Sequence, residues 1–248
     1  RKSEPALYCP TCHTSVAQAE LEDAQVESTF NDIVFKDNVG TEYIIGTTRP
    51  EMLPACVAVL FNPHDSRYQH LKGTHLIVPI FEYTVPVIAD DQVAIDKGTG
   101  LVMCCTFGDK TDVVWYKKHN LNYKAIFDMT GKMLPSTGIM SGLKVHAARA
   151  RILEVLKEKN LLRGQRSIVH AVNVDERCKK EIEYIVLPQW FIRILDFKEK
   201  FLQLADAIEW YPSFMKSQYI EWRQNLNWDW CISRQLFYGI PFPIWHCV

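Results

Sequence analysis

The sequence predicts an α+β fold, mainly β through its first half, with flanking helices and a small zinc-knuckle-like β ribbon. Three observations carry that reading. Short runs rich in β-branched and aromatic residues, broken by Gly, Asn and Pro, crowd residues 26–107. Helical apolar periodicity is confined to a few stretches. A C-x2-C turn near the start is echoed at the same spacing by the Asp and Cys of "DERC". With 48% hydrophobic and 23% charged residues among 248, the chain can build one substantial core or two small ones. Its 28 Lys and Arg against 29 Asp and Glu exclude a global electrostatic pull toward nucleic acid, so any RNA contact must be local. Apolar runs such as "YIVLPQWFIRIL" are too short or interrupted to cross a membrane, and no signal-peptide pattern opens the chain. The expected location is cytoplasmic, where clustered cysteines serve as metal ligands or core rather than as a disulfide scaffold.

Taken in order, "VESTFNDIVFKD" and "EYIIGTT" read as strands joined by a turn at residues 38–40. "HLIVPI", "TVPVIA" and "GLVMCCTF" continue the strand habit, with Pro79 and Pro86 suggesting edges or bends. Helices are predicted over residues 111–119, 147–160 and 198–207. In the second, Ile152, Val155 and Leu156 share a face while Arg149, Lys157 and Lys159 lie off it. Gly164 and Gln165 mark a break. Beyond it "RSIVHAVNV" and "EIEYIVL" read as a hairpin around "DERC", followed from Pro188 by an aromatic tail holding six of the seven Trp. Four segments follow from these shifts: residues 1–22, a knuckle and linker; 23–164, the main body; 165–187, a returning β ribbon; and 188–248, a helical and strand tail. The chain opens without Met and stops on an apolar run, which reads as a piece of something longer.

Two strand-to-helix turns concentrate the polar chemistry. In "GTTRPEML" a strand runs into Thr47, Thr48 and Arg49, with Pro50 placed as a first helical residue. In "TFGDKTD" a strand delivers Asp109 and Asp112 to a helix N-terminus, where helix capping alone accounts for both carboxylates. If the two turns meet at neighbouring strand ends, they enclose a small polar pocket. Consecutive Cys104 and Cys105 face opposite sides of a strand and belong to the core. His119 suits a helix C-terminus and His64 a surface turn. Gly98 and Gly100 lack the longer phosphate-loop pattern and indicate a tight turn or close backbone approach. Cys9 and Cys12 are half a zinc site by spacing. Asp175 and Cys178 are candidates for the other half, with His170 as a substitute ligand; a metal-free knuckle or an oxidised pair accounts for the same spacing. Cys247 could begin a further knuckle.

Together "CPTCHTSVAQAELED", "TTRPEMLPACVAVLFNPHDSRY", "KGTGLVMCCTFGDKTDVVWYKKHNL", "LPQWFIRI" and "LNWDWCISRQLFYGIPFPIW" resemble the valyl-tRNA synthetases over nearly the whole chain. The T-T-R-P motif is shared with the isoleucyl and leucyl relatives; "TFGDKTD" and "WDWCISRQ" point to the valyl enzymes, in a form similar to archaeal members. The resemblance is to the barrel-like editing insertion of a class I synthetase plus the segment returning to its catalytic domain. The H-x-G-H and K-M-S-K-S signatures of amino-acid activation are absent, so ATP use is expected of a full-length enzyme only. Many bacterial members carry Lys six residues before the first aspartate, where Met103 stands here.

The resemblance implies proofreading. A pocket built for valine cannot strongly reject threonine, for which the valyl enzyme is the standing example, and a second site that hydrogen-bonds the hydroxyl must clear the error. It implies hydrolysis of Thr-tRNA(Val), with the tRNA acceptor end and the remaining synthetase domains in cis as partners. Asp112 would hold the substrate ammonium, its helix-terminal position favouring the ionised form. Thr47 and Thr48 would hold the aminoacyl group or a water. Arg49 would face the RNA end or brace its loop, and Asp109 would help read the hydroxyl or only cap. Two other readings stay open: an acceptor-end binding module using Arg149, Arg151, Arg163 and Arg166, and a purely structural insertion. The tail, away from partner strands, is expected to expose apolar surface.

Overall fold

A computed structural model describes residues 1–226, 228–237 and 243–245. Strand β1 (Lys2–Cys9) and the two-residue β2 (Thr14–Ser15) pair antiparallel across the turn at residues 10–13. Strand β3 (Leu21–Lys36) turns back into β4 (Glu42–Thr47) through Asp37, whose Oδ1 accepts from the N–H groups of Val39 and Thr41 at 3.0 and 2.8 Å. A 3-10 segment (Pro50–Ala55) follows, opened by Pro50 as predicted. Strands β5 (Cys56–Phe61), β6 (His75–Ile77), β7 (Thr84–Ala89) and β8 (Leu101–Cys105) precede helix α1 (Lys110–Lys118). Helix α2 (Val145–Glu158) leads to strands β9 (Leu162–Asp175), β10 (Glu183–Gln189) and β11 (Phe191–Ile192). Helices α3 (Lys198–Ala207) and α4 (Met215–Asn225) and the short β12 (Trp230–Cys231) are the last elements among the described residues.

Seven strands form one sheet along the path β4-β3-β6-β7-β5-β8, with β9 also on β3. All pairs are antiparallel except β5 with β7. The ends of the path approach each other: Thr99, just ahead of β8, donates its hydroxyl to the carbonyl of Ile44 on β4 at 2.7 Å. The sheet therefore curls into a half-barrel. Ile33, Phe35, Ile45, Val59, Phe61 and Leu76 fill its inside, and α2 closes it with Ala148, Ile152 and Leu156; Val155, the third member of the predicted stripe with Ile152 and Leu156, is buried as well. Each of these side chains larger than alanine contributes roughly 1.5–3 kcal/mol by its burial. Strand β5 is buried at all six positions. Cys56, Val59 and Phe61 face the main core, while Val57, Ala58 and Leu60 pack with Cys104 and Trp115 under α1. Cys105 joins the main core, so the adjacent cysteines do take opposite faces.

Several expectations are corrected. The predicted hairpin around "DERC" does not form: β9 pairs with β3 from Leu21 opposite Asp175 to Ile33 opposite Leu162, whereas β10 pairs with β1 in a separate sheet of order β10-β1-β2. What remains of it is the tight turn itself: the Val174–Glu181 bridge and backbone hydrogen bonds from Asp175 N to the Lys180 carbonyl at 3.0 Å and from Ile182 N to the Asn173 carbonyl at 3.3 Å. Long-range partners with complementary registers outcompete the local turn. Gly164 and Gln165 lie within β9 rather than at a break; Gly164 sits opposite Asp32, beside a register shift. Pro86 occupies an interior strand, opposite His75. The β5 ladder on its other side begins only at Val87 opposite Val59, so the missing N–H falls outside that ladder. Helix α4 was not predicted; none of its side chains is fully buried, and Tyr219 and Trp222 pack against the rings of Trp210 and Phe201. Tyr211, Trp222, Phe237 and Trp245 of the tail are exposed, as expected. Among the described residues no helix is long and apolar enough to cross a membrane.

Candidate functional site

The two polar turns meet. Strand β4 ends at Thr47, whose Oγ1 accepts from Arg49 N at 3.0 Å, making the tight bend that Pro50 then continues. Half-buried Thr48 lies inside that bend. Fully buried Asn31 on β3 holds the strand end, donating from Nδ2 to the carbonyls of Thr29 at 2.9 Å and Thr47 at 3.2 Å. From the other side β8 runs into the turn at residues 106–109 that starts α1. Asp109 is its N-cap, accepting from Asp112 N at 2.9 Å. Asp112 is buried, and its carboxylate accepts from Gly108 N at 2.9 Å and Cys105 N at 3.2 Å. Gly108 is required there by proximity: a Cβ would stand 2.7 Å from Asp112 Oδ2.

Arg49 joins the two turns. Its Nη1 donates to the Gly108 carbonyl at 3.0 Å, its Nε to Glu51 at 3.0 Å, and its Nη2 to both oxygens of Glu183 on β10 at 2.9 and 2.8 Å. Glu51, 1% exposed, is held from its far side by Arg149 of α2 through two contacts of 2.9 Å. Arg149, Glu51, Arg49 and Glu183 thus form a ladder of two positive and two negative charges. Burial opposes the charge on Arg49, but Glu183 and Glu51 outweigh it and hold the guanidinium charged. Burial would raise the Glu51 carboxyl, yet Arg49 and Arg149 keep it low. Burial also raises the Glu183 carboxyl, while both its oxygens accept from one guanidinium, the geometry of a carboxylate. Of the two roles open to Arg49, bracing the loop is the one its contacts fill.

Asp112 departs from the expectation that its helix-terminal position favours ionisation. Burial first, and then the neighbouring Asp109 charge, push its carboxyl up to about 8, against the lowering pull of the Gly108 and Cys105 N–H groups. The site holds a reluctant carboxylate, suited to a ligand that brings its own positive charge.

The other singled-out residues sort as follows. Gly98 and Gly100 take positive φ, and a Cβ on Gly100 would meet Arg67 Nη2 at 2.6 Å. His119 caps α1 and contacts Asp90 Oδ2 at 2.6 Å, while His64 is exposed. Met103 packs against the main core. The four arginines considered for RNA are each engaged: Arg149 by Glu51, Arg151 by Glu154, Arg163 by Glu42, and Arg166 by Asp32 and the Phe30 ring. An open cleft of ≈ 560 Å³ lies beside the site, lined by Arg149 and by residues 27–29 and 167–169 of β3 and β9. Asn31, Glu51 and Glu183 were missed by sequence reasoning, which placed Gly108 in the turn without a role. Only Glu51, two residues after Arg49, carried a local signal.

At the far end of β1, the donor atoms of Cys9, Cys12, Asp175 and Cys178 lie within 4.8 Å of one another. His170 is not among them; it sits along β9, opposite Val26. Cys247 lies outside the described residues. The two halves share one local geometry, because His13 after Cys12 and Lys179 after Cys178 both take left-handed backbone, φ 55° and 57°. Cys9 Sγ accepts from Cys12 N at 3.3 Å and stands 3.5 Å from Cys178 Sγ. Burial and the neighbouring cysteines push the Cys12 thiol up, the crowding that a bound cation would relieve. Three sulfurs and one carboxylate fit a tetrahedral Zn²⁺, whose bonds to sulfur are about 2.3 Å.

The sequence matches the family described as tRNA synthetases class I (I, L, M and V) over residues 1–247, and the chain belongs to that family. Within it, the chain is similar to valine–tRNA ligases. It is 45% identical to that of Rickettsia conorii over 247 residues, covering 99% of this chain and 30% of that protein. It is 46% identical to that of Ehrlichia canis over 254 residues, covering 99% and 32%. The chain thus spans about a third of the length of these curated relatives. A crystal structure of a LeuRS of Agrobacterium radiobacter, in a ternary complex with tRNA and LeuAMS, aligns with a TM-score of 0.46 at 13% identity, over 68% of this chain and 30% of that one.

Proposed function

We propose that this chain is the editing portion of a valine–tRNA ligase and hydrolyses the aminoacyl ester of mischarged Thr-tRNA(Val). The observation that carries the reading is the Arg49 to Gly108 hydrogen bond, which fastens the hydroxyl-bearing turn to the turn that presents Asp112. The similarity to valine–tRNA ligases supports it. In the reaction a water oxygen bonds to the ester carbonyl carbon and the bond to the terminal ribose oxygen breaks. That oxygen takes a proton, and threonine and tRNA with a free hydroxyl leave. Asp112 binds the α-ammonium, Thr48 and Thr47 border the aminoacyl group, and Asp109 caps α1. An aminoacyl ester is already activated, so positioning suffices without a covalent nucleophile. Valine activation with ATP, and engagement of the tRNA body, belong in this reading to the rest of the enzyme. Residues 23–164 are assigned as the editing unit, residues 1–22 and 165–187 as the knuckle and returning ribbon, and 188–248 as the return to the catalytic domain.

The test compares deacylation of Thr-tRNA(Val) and Val-tRNA(Val). The chain should clear the threonyl ester selectively, and Asp112→Ala should abolish clearance while the circular dichroism spectrum is retained. Equal rates with and without the Asp112 carboxylate would sink the assignment. A binding-only module would instead shift the tRNA in a gel without deacylating it.

A further inference from the structure

We propose that the cysteine knuckle is a metal-dependent positioning device for the Asp109–Asp112 turn, with Glu183 as the residue that carries its effect. The functional meaning of this coupling rests on reading that turn as the editing site; the coupling itself does not.

Two independent routes join knuckle and turn. The first is polar. Cys9 ends β1, and its neighbour Tyr8 stands opposite Glu183, the first residue of β10. Asp175 ends β9, and Cys178 lies in the short connection from there into β10. A metal shared by these four residues would therefore fix the register of β1 and β10 at the pair that carries Glu183. From there Glu183 grips Arg49 at 2.8 and 2.9 Å, and Arg49 holds the Gly108 carbonyl at 3.0 Å. The second route is apolar. Cys9 packs in one buried cluster with Leu7, Ile182 and Tyr184, and the same cluster contains Phe107 and Val113, the residues that bracket the turn on either side. Cys178 lies against it. Phe107 is braced in turn by Tyr116, edge to face, with ring centroids 4.9 Å apart. Displacing the knuckle moves both supports of the turn, whereas α2 closes a different core.

The experiment loads the chain with Co²⁺ in place of Zn²⁺. Thiolate-to-cobalt absorption counts bound metal, and amide hydrogen exchange at Cys105 and Gly108, the two donors to Asp112, is followed with and without chelator. The expected result is one metal per chain and, on its removal, exchange at these two amides faster by about tenfold while residues 145–158 of α2 are unchanged. Glu183→Gln should keep the cobalt spectrum and yet speed the same two amides. Because this variant leaves every ligand intact, it tests the route even if a cysteine variant fails to fold. Absence of cobalt binding, unchanged exchange at Cys105 and Gly108, or acceleration spread equally into α2 would each overturn the proposal. Deacylation of Thr-tRNA(Val) is measured alongside: a loosened turn with undiminished deacylation would leave the coupling standing and refute the editing assignment of the turn.

Discussion

The protonation of Asp112 sets a pH dependence that can be worked out from the structure. Its carboxyl is pushed from an ordinary 3.8 up to about 8, chiefly by burial and next by Asp109. At about 1.4 kcal/mol per tenfold in proton affinity, that is roughly 6 kcal/mol against the ionised form. If Asp112 binds the substrate ammonium, the free protein must first lose this proton. At pH 7 about one molecule in ten is ionised, so kcat/KM should lie roughly tenfold below its limit and rise toward pH 8. The substrate's own α-amino group, with a pKa of about 7.7–8.0, loses its charge over the same range and imposes the opposite limb. The expected profile is a narrow bell near pH 8. Asp109→Asn removes the second cause of the raised pKa and should move the acid limb to lower pH. The assay is deacylation of Thr-tRNA(Val) between pH 6 and 9, corrected for hydrolysis without protein. A flat profile, or an acid limb that Asp109→Asn leaves in place, would refute the ammonium-binding role.

Three further outcomes follow. Gly108→Ala places a Cβ 2.7 Å from an Asp112 oxygen already pinned by two N–H groups, so it should cost about 1–3 kcal/mol in chemical denaturation and abolish deacylation. Glu51→Ala strands Arg49 and Arg149 without their shared, buried carboxylate and should cost about 3–5 kcal/mol; a loss below 1 kcal/mol in urea would contradict the ladder. Because the folded carboxyl of Asp112 holds its proton up to about 8 while the unfolded one releases it near 3.8, its contribution to stability declines as pH rises through that window and levels off above it. Asp112→Asn should flatten that decline in urea titrations between pH 4 and 8.

Local signals in the sequence proved sufficient wherever one element decides its own fate. The stripe of Ile152, Val155 and Leu156 specified α2, Asp109 marked the start of α1, and the paired two-residue spacings brought Cys9, Cys12, Asp175 and Cys178 together across 169 residues. What escaped depends on partners far along the chain. Glu183 looks like any strand carboxylate until Arg49, 134 residues away, is laid against it. The destination of β9 was misjudged because its alternating pattern suits either β3 or β10, and only the whole sheet decides. The charge state of Asp112 escaped as well: a helix N-terminus argues for ionisation, and burial, which no sequence displays, argues the other way and wins.

The long antiparallel β3–β9 ribbon has a mechanical consequence. It leaves the half-barrel near Ile33 and reaches the knuckle where Leu21 stands opposite Asp175. The Arg49 and Glu183 contacts join the same two bodies by another route. With the apolar cluster shared by Cys9, Phe107 and Val113, these struts close a frame between the two blocks, and the cleft beside Arg149 lies along the ribbon. An open stalk would bend wherever it is weakest. A closed frame resists shear until one strut is cut.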